Sequence, residues 1–358
     1  MATKGKIKRL FPGGNTSVGF FSYYQYVIDL KEANRLYLLK GGPGVGKSSL
    51  MKKIGHGMVE RGYDIEFHHC SADPEGVDAV VIPALKVAII DGTSPHVIDP
   101  KFPGAVDEII NLGEHWNEED LRANRDDIIS STEHNGKIYK RVYKFLSAAK
   151  IIHDDVEWIY QEASNQLKTT EESQEFIKKI IKGTKQQSKL PKERHLFGSA
   201  YTFFGHIHHR ETYLEDTKKL YSVVGSSSQR KSDILKKIAD KYLEKGYDVD
   251  FYHEPLVPER LESIVIPEAS VAITSYRQEQ AKKILDLDEY MNTDILNKYA
   301  EELEISQGYF TLLLEQVYEN LKKTKKNHDG MEEYYIPNIR FEEINDVTNK
   351  LLEKILNL

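Results

Sequence analysis

Residues 36–51 read Leu36-Tyr37-Leu38-Leu39-Lys40-Gly41-Gly42-Pro43-Gly44-Val45-Gly46-Lys47-Ser48-Ser49-Leu50-Met51. Leu36–Lys40 is a short apolar run that stops at glycine, the pattern of a buried strand. Leu50, Met51, Ile54 and Met58 recur at helical spacing, which predicts a helix beginning at about Lys47. The glycines between them admit left-handed backbone angles that turn successive N–H groups toward an anion. The start of the following helix adds its partial positive charge to the same anion.

Strand, glycine loop, lysine, hydroxyl and helix in this order form a phosphate-binding P-loop pattern. Gly41, Gly42, Pro43, Gly44, Val45, Gly46, Lys47, Ser48 and Ser49 are therefore the expected nucleotide contacts. In this reading Lys47 neutralises the β- and γ-phosphates of ATP, and the Ser48 hydroxyl holds Mg2+. A second acidic group belongs at the end of a neighbouring apolar strand. Val87-Ala-Ile-Ile90-Asp91 supplies it, so Asp91 is the expected Mg2+-linked carboxylate. The next residue is Gly92, so the glutamate that many ATP-driven proteins place there is absent. His96 and Asp99, just beyond the strand, are the candidates for general base or γ-phosphate sensor. The competing reading of that segment is a turn held by its own side-chain hydrogen bonds.

The chain is also a duplication. Residues 61–91 align without gaps on residues 245–275, with 13 of 31 positions identical. The same offset places Gly41 on Gly225. Arg9-Leu10-Phe11 parallels His195-Leu196-Phe197, and His153-Asp154 parallels His328-Asp329. The expected fold is α/β, with two tandem P-loop NTPase-like domains of mostly parallel sheet and flanking helices. The first spans 1–188 with a helical subdomain at about 105–182; the second spans 189–358 with one at about 278–358. Trp116, Leu121, Ile128, Tyr139, Tyr143, Leu146 and Ile151 are the expected core of the first helical part.

Repeat 2 reads Gly225-Ser-Ser-Ser-Gln-Arg230-Lys231-Ser232 at the loop, and Ser275 stands in place of Asp91. Arg230 would crowd a phosphate cradle, so this half is expected to be degenerate and non-hydrolytic, with weak anion binding left open. Arg194, Arg210 and Arg230 are candidates for a cation delivered from repeat 2 to repeat 1. His68-His69-Cys70 resembles a metal cluster, but adjacent strand residues face opposite ways. His206 and His208 fit an edge strand better than a metal site.

Hydrophobic residues make up 40% of the 358 residues and the net charge is −7, which argues against a general nucleic-acid or anionic-membrane binder. One cysteine, Cys70, allows no intrachain disulfide. With no apolar run near the ~20 residues of a bilayer span, the expected location is the cytoplasm. On the RLF lead-in, the GGPGVGKS loop, the RGYDIEFHHCSADP and VDAVVIPALKVAIIDGTSPH segments and the RHLFGSAYT of the second copy, the chain resembles a bacterial family of tandem P-loop proteins described as ATPases or ATP-binding proteins. The resemblance runs nearly end to end. It implies nucleotide binding at Gly41–Ser48 with Asp91 as second motif, and implies no substrate. The reading is an ATP-binding protein with slow Mg2+-dependent hydrolysis in repeat 1 and a regulatory repeat 2. A small-molecule or nucleotide kinase and a non-enzymatic switch are the alternatives. Its partners are ATP, an unidentified protein or small molecule, and the two repeats themselves as an intramolecular pair.

Overall fold

The computed structural model describes residues 3–94 and 96–358; Pro95 and the first two residues of the basic start lie outside it. Repeat 1 runs β1 (Ile7–Leu10), a hairpin of β2 (Gly13–Thr16) and β3 (Gly19–Ser22), β4 (Arg35–Lys40), α1 (Lys47–Val59), β5 (Ile65–His69), β6 (Val77–Ile82), β7 (Val87–Asp91) and β8 (Asp107–Asn111). Helices α2 (Glu118–Ala123), α3 (Arg125–Ala163) and α4 (Gln166–Ile181) follow. Repeat 2 runs β9 (Glu193–Phe197), β10 (Ser199–Thr202), β11 (Gly205–His208), an added α5 (Arg210–Leu214), β12 (Lys219–Val224), α6 (Ser228–Leu243), β13 (Val249–His253), β14 (Leu261–Ile266), β15 (Val271–Thr274) and β16 (Lys283–Asp286). It closes with α7 (Thr293–Lys298), α8 (Ala300–Tyr335) and α9 (Phe341–Leu356).

The two six-stranded sheets have the same order, β1-β5-β6-β7-β4-β8 and β9-β13-β14-β15-β12-β16. The duplication read from residues 61–91 and 245–275 is thus a duplication of topology. Each sheet is mixed, with five of its six strands running the same way: β6 is antiparallel to both its neighbours β5 and β7, as β14 is to β13 and β15. The connections explain this. Cys70–Gly76 and Pro83–Lys86 are too short for a crossover, and parallel neighbours need one of a dozen residues or more. The second of these turns closes on a left-handed residue in both copies, Lys86 (φ 52°) and Ser270 (φ 51°).

Phe11 and Phe197 meet across the pseudo-twofold relation of the halves, each N–H donating to the other's carbonyl at 3.0 Å. The hairpins repeat a detail as well. Thr16 Oγ1 donates to the Gly19 carbonyl at 2.8 Å, and Thr202 Oγ1 to that of Gly205 at 2.9 Å.

The helices that follow each sheet leave it. Helix α3 has 39 residues and α8 has 36. At 1.5 Å per residue, α3 is about 58 Å long, more than one sheet can cover. The two lie antiparallel: Asn327 Nδ2 donates to the Ser131 carbonyl at 2.9 Å, and Ser306 Oγ to Asp155 at 3.4 Å. Val142, Leu146 and Ala149 pack on Val317 and Leu321 between them. Asn117, the N-cap of α2, donates its N–H to Asn338 at the far end of α8 at 2.7 Å. Asn292, the N-cap of α7, does the same to Ala163 at the far end of α3, also at 2.7 Å.

As a result the terminal helices are exchanged. Ile344, Leu351 and Ile355 of α9 complete the core of the first sheet with Tyr37, Met51 and Phe67. Phe176 and Ile180 of α4 complete the core of the second with Leu235, Ile238 and Phe251. Leu146 is fully buried as expected, whereas Ile151 is 67% exposed, because α3 packs along the narrow stripe that meets α8. Among the described residues no helix is long and apolar enough to cross a membrane.

Candidate functional site

The glycine loop leaves β4 at Gly41 and enters α1 at Lys47. Gly44 (φ 67°) and Gly46 (φ 89°) are left-handed, which keeps the chain out of helical angles until Lys47. A Cβ at Gly44 would stand 2.9 Å from Ile336, beyond the end of α8, so the loop is pressed against the segment that links α8 to α9.

Lys47 Nζ donates to the carbonyls of Gly41 and Gly42, both at 2.9 Å, and stands 3.6 Å from Asp91 Oδ2. The lysine and the acid singled out from separate strand ends therefore meet. Strand pairing is the cause: β4 and β7 are parallel neighbours with Leu39 beside Asp91. Asp91 Oδ1 accepts from Thr93 N at 2.9 Å and Thr93 Oγ1 at 2.6 Å, which fixes the carboxylate and leaves Oδ2 toward Lys47. Ser48 Oγ accepts from the N–H of Val77 at 3.0 Å and keeps its proton and a second lone pair.

Loop, Lys47, Ser48, Ser49 and Asp91 open on a cavity of about 390 Å3. Its far wall comes from the long helices: Asn135 and Tyr139 of α3, and Lys325, His328 and Glu332 of α8. Lys325 pairs with Asp329 and lies 3.6 Å from Asp73 Oδ2. Burial opposes the charge on this ammonium, but Asp329 and Asp73 more than offset it and hold its pKa above the ordinary value. His328, Asp329 and Glu332 bring one ligand-type atom each to within 4.8 Å of one another.

His96 and Asp99 do not join Lys47. His96 is buried against Asp78, 3.6 Å away, and stacks on Tyr24 with ring centres 4.6 Å apart. Tyr24 OH donates to the same carboxylate of Asp78 at 2.7 Å. Burial raises the Asp78 pKa, and it is Asp78, not His96, that lines the cavity. Asp99 is 82% exposed, faces Lys40 at 3.5 Å and lines a separate cleft of about 1040 Å3.

None of the three arginines considered for delivery reaches the loop. Arg194 crosses between the repeats to bond Glu66 (Nη1, 3.0 Å), Arg210 lies over the ring of Tyr276 at 3.4 Å, and Arg230 sits in α6. The cation that repeat 2 brings to the first cavity is Lys325. Of the histidines, His69 Nδ1 meets the Pro74 carbonyl at 2.8 Å while His68 turns to Glu66, so β5 separates them.

One signal could have located the far wall. Lys150-x-x-His153-Asp154-x-x-Glu157 on α3 and Lys325-x-x-His328-Asp329-x-x-Glu332 on α8 are the same pattern, which extends the parallel of His153-Asp154 with His328-Asp329 in both directions. Comparison of the chain with protein-family models, curated proteins and solved structures gave no match.

Proposed function

We propose that repeat 1 is an ATP-binding P-loop NTPase that hydrolyses Mg2+-ATP slowly. The observation that carries this reading is the meeting of Lys47 with Asp91 at 3.6 Å, beneath a left-handed glycine loop that opens on a cavity of ligand size. The Lys47 ammonium donates to the carbonyls of Gly41 and Gly42. A phosphate entering the loop exchanges those neutral partners for a charged one, which strengthens the contact.

Ser48 Oγ and Asp91 would hold Mg2+, whose charge offsets that of the phosphate oxygens. Thr93 keeps Asp91 oriented for that task. Slow turnover follows from what stands after β7: Gly92 has no side chain, His96 is taken up by Asp78 and Tyr24, and Asp99 faces the separate cleft. Lys325 and His328, coming from α8, line the same cavity as Lys47.

Wild type and Lys47→Ala are to be compared with ATP and Mg2+, following binding and phosphate release together. Binding and release by wild type, and neither by the variant, is the expected result; no binding by wild type ends the proposal. A nucleotide-dependent switch is the second reading, and the far wall built from α3 and α8 is what favours it, because a bound nucleotide would touch both long helices. Binding without turnover would select it. The cytoplasm is the proposed location.

A further inference from the structure

The second loop contains a carboxylate where the first has space. Glu157, near the end of α3 and 2% exposed, points into the start of α6. Its Oε1 accepts from Ser228 N at 2.6 Å and Ser228 Oγ at 2.7 Å; its Oε2 accepts from Ser227 Oγ at 2.7 Å and, at 3.4 Å, from Gln229 N. Arg260 stands behind them, with Nη1 at 4.0 Å from Oε1 and at 3.0 Å from Ser228 Oγ. Two N–H groups of a helix's first turn, two hydroxyls and a guanidinium form the donor set of a bound anion.

The backbone explains how this site arose. Without glycines at the positions of Gly44 and Gly46, the chain winds into helix at Ser228, three residues earlier than in repeat 1, where α1 begins at the counterpart of Lys231. Arg230 therefore does not crowd a cradle. It belongs to a helix turn that has replaced the cradle, with Ser227 as N-cap. In the first site the equivalent residue of the shared pattern is Glu332, whose side-chain stem lies 3.5 Å from where a Cβ on Gly44 would stand. Among the described residues no hydrogen bond joins Glu332 to that loop, and its carboxylate stands 3.6 Å from His328.

We infer that the second loop is an anion site permanently filled by the chain's own Glu157, so that the molecule takes one nucleotide and not two. Glu157 occupies the place of a phosphate and ties the end of α3 to the second sheet. Removing it leaves Arg260, with its side chain 9% exposed and the part-exposed Asp154 at 3.5 Å as its remaining carboxylate, beside unpaired helix N–H groups, an arrangement that inorganic phosphate would fill.

The test is made in the Lys47→Ala background, so that it does not depend on nucleotide binding at the first loop; the wild-type ATP titration reports on that separately. Lys47→Ala with Glu157 intact is expected to show no ATP binding by calorimetry and no shift in Tm with inorganic phosphate. Lys47→Ala/Glu157→Ala is expected to melt lower, by on the order of 10 °C. Its Tm should then climb with phosphate concentration, as a ligand that binds only the folded state requires. Adding Arg260→Ala should remove that climb. If the double variant does not fold in phosphate-free buffer, its refolding yield with and without phosphate gives the same answer. ATP bound at the second loop while Glu157 is present would overturn the inference, as would a double variant that melts like its parent and ignores phosphate.

Discussion

Glu262 of β14 is fully enclosed, with one carboxylate oxygen accepting from Ser199 Oγ at 2.8 Å and from Tyr276 OH at 3.1 Å. The other oxygen has no partner among the described residues. Burial pushes its pKa from the ordinary 4.5 up to about 7. A carboxyl whose folded pKa is raised binds its proton more tightly when folded, so its contribution is favourable at low pH. That contribution is lost as pH rises from about 4.5 to about 7. The shift corresponds to roughly 3 kcal/mol at most. Glu254 is pushed to about 7 by the same cause, so the two should act in one direction. Wild-type Tm is expected to fall between pH 5 and pH 8, and Glu262→Gln to flatten that fall by several degrees in a pH series of melts. An unchanged slope in the variant would show that the carboxyl is ionised throughout. In the first repeat the same sheet position holds Asp78, bound by Tyr24. Its acid was not legible as a site residue, because an acid within an unbroken apolar strand has no motif around it until His96 and Tyr24 are brought to it. That Lys47, Ser48 and Asp91 come together at one loop was legible, because backbone geometry and strand order leave few alternatives for a glycine loop between a strand and a helix.

At the scale of elements, the pairing of α3 with α8 decides how the site is built. Leu146 is fully buried where the two helices meet, beside Val317 and Leu321. Leu146→Ala should cost about 3 kcal/mol, measured by urea unfolding, through lost burial and the cavity left behind. The same helices present Lys325 to the first cavity, so Lys325→Ala tests the element through its tip. If repeat 1 binds ATP, the substitution should weaken that binding about tenfold with little change in Tm, since the pair it breaks is part-exposed. Unchanged affinity would place Lys325 outside the site. The helical character of both segments could be read from periodicity, but their destination could not. An amphipathic stripe says that a face is covered and not by which chain segment, and the exposed Ile151 shows the stripe to be narrower than its periodicity suggests. The antiparallel course of β6 lay in connection length: Val77–Ile82 is buried at every position, which matches a parallel strand as well as a central antiparallel one.

For the whole molecule, duplication in sequence does not mean two independent bodies. A cut near Gly183–Pro191 respects the polar connection between α4 and β9 but separates each sheet from the helix that completes its core. Ile344, Leu351 and Ile355 of α9 are at most 5% exposed, and their burial on the first sheet contributes roughly 5–9 kcal/mol. That is comparable to the entire stability of an ordinary domain. The same cut would bare Phe176 and Ile180 on α4 and divide α3 from α8. Residues 1–188 alone should therefore be poorly folded, with little protected amide hydrogen and ready proteolysis, and residues 189–358 likewise. Produced together, the two pieces should assemble into a one-to-one complex that melts as a unit. If repeat 1 binds ATP, that complex should bind it too, because the far wall of the cavity at Lys325 and His328 is supplied only by the second piece. A first piece that folds and binds ATP without the second would mean that neither α9 nor the α8 wall is needed, and that the exchange serves only to hold the repeats together.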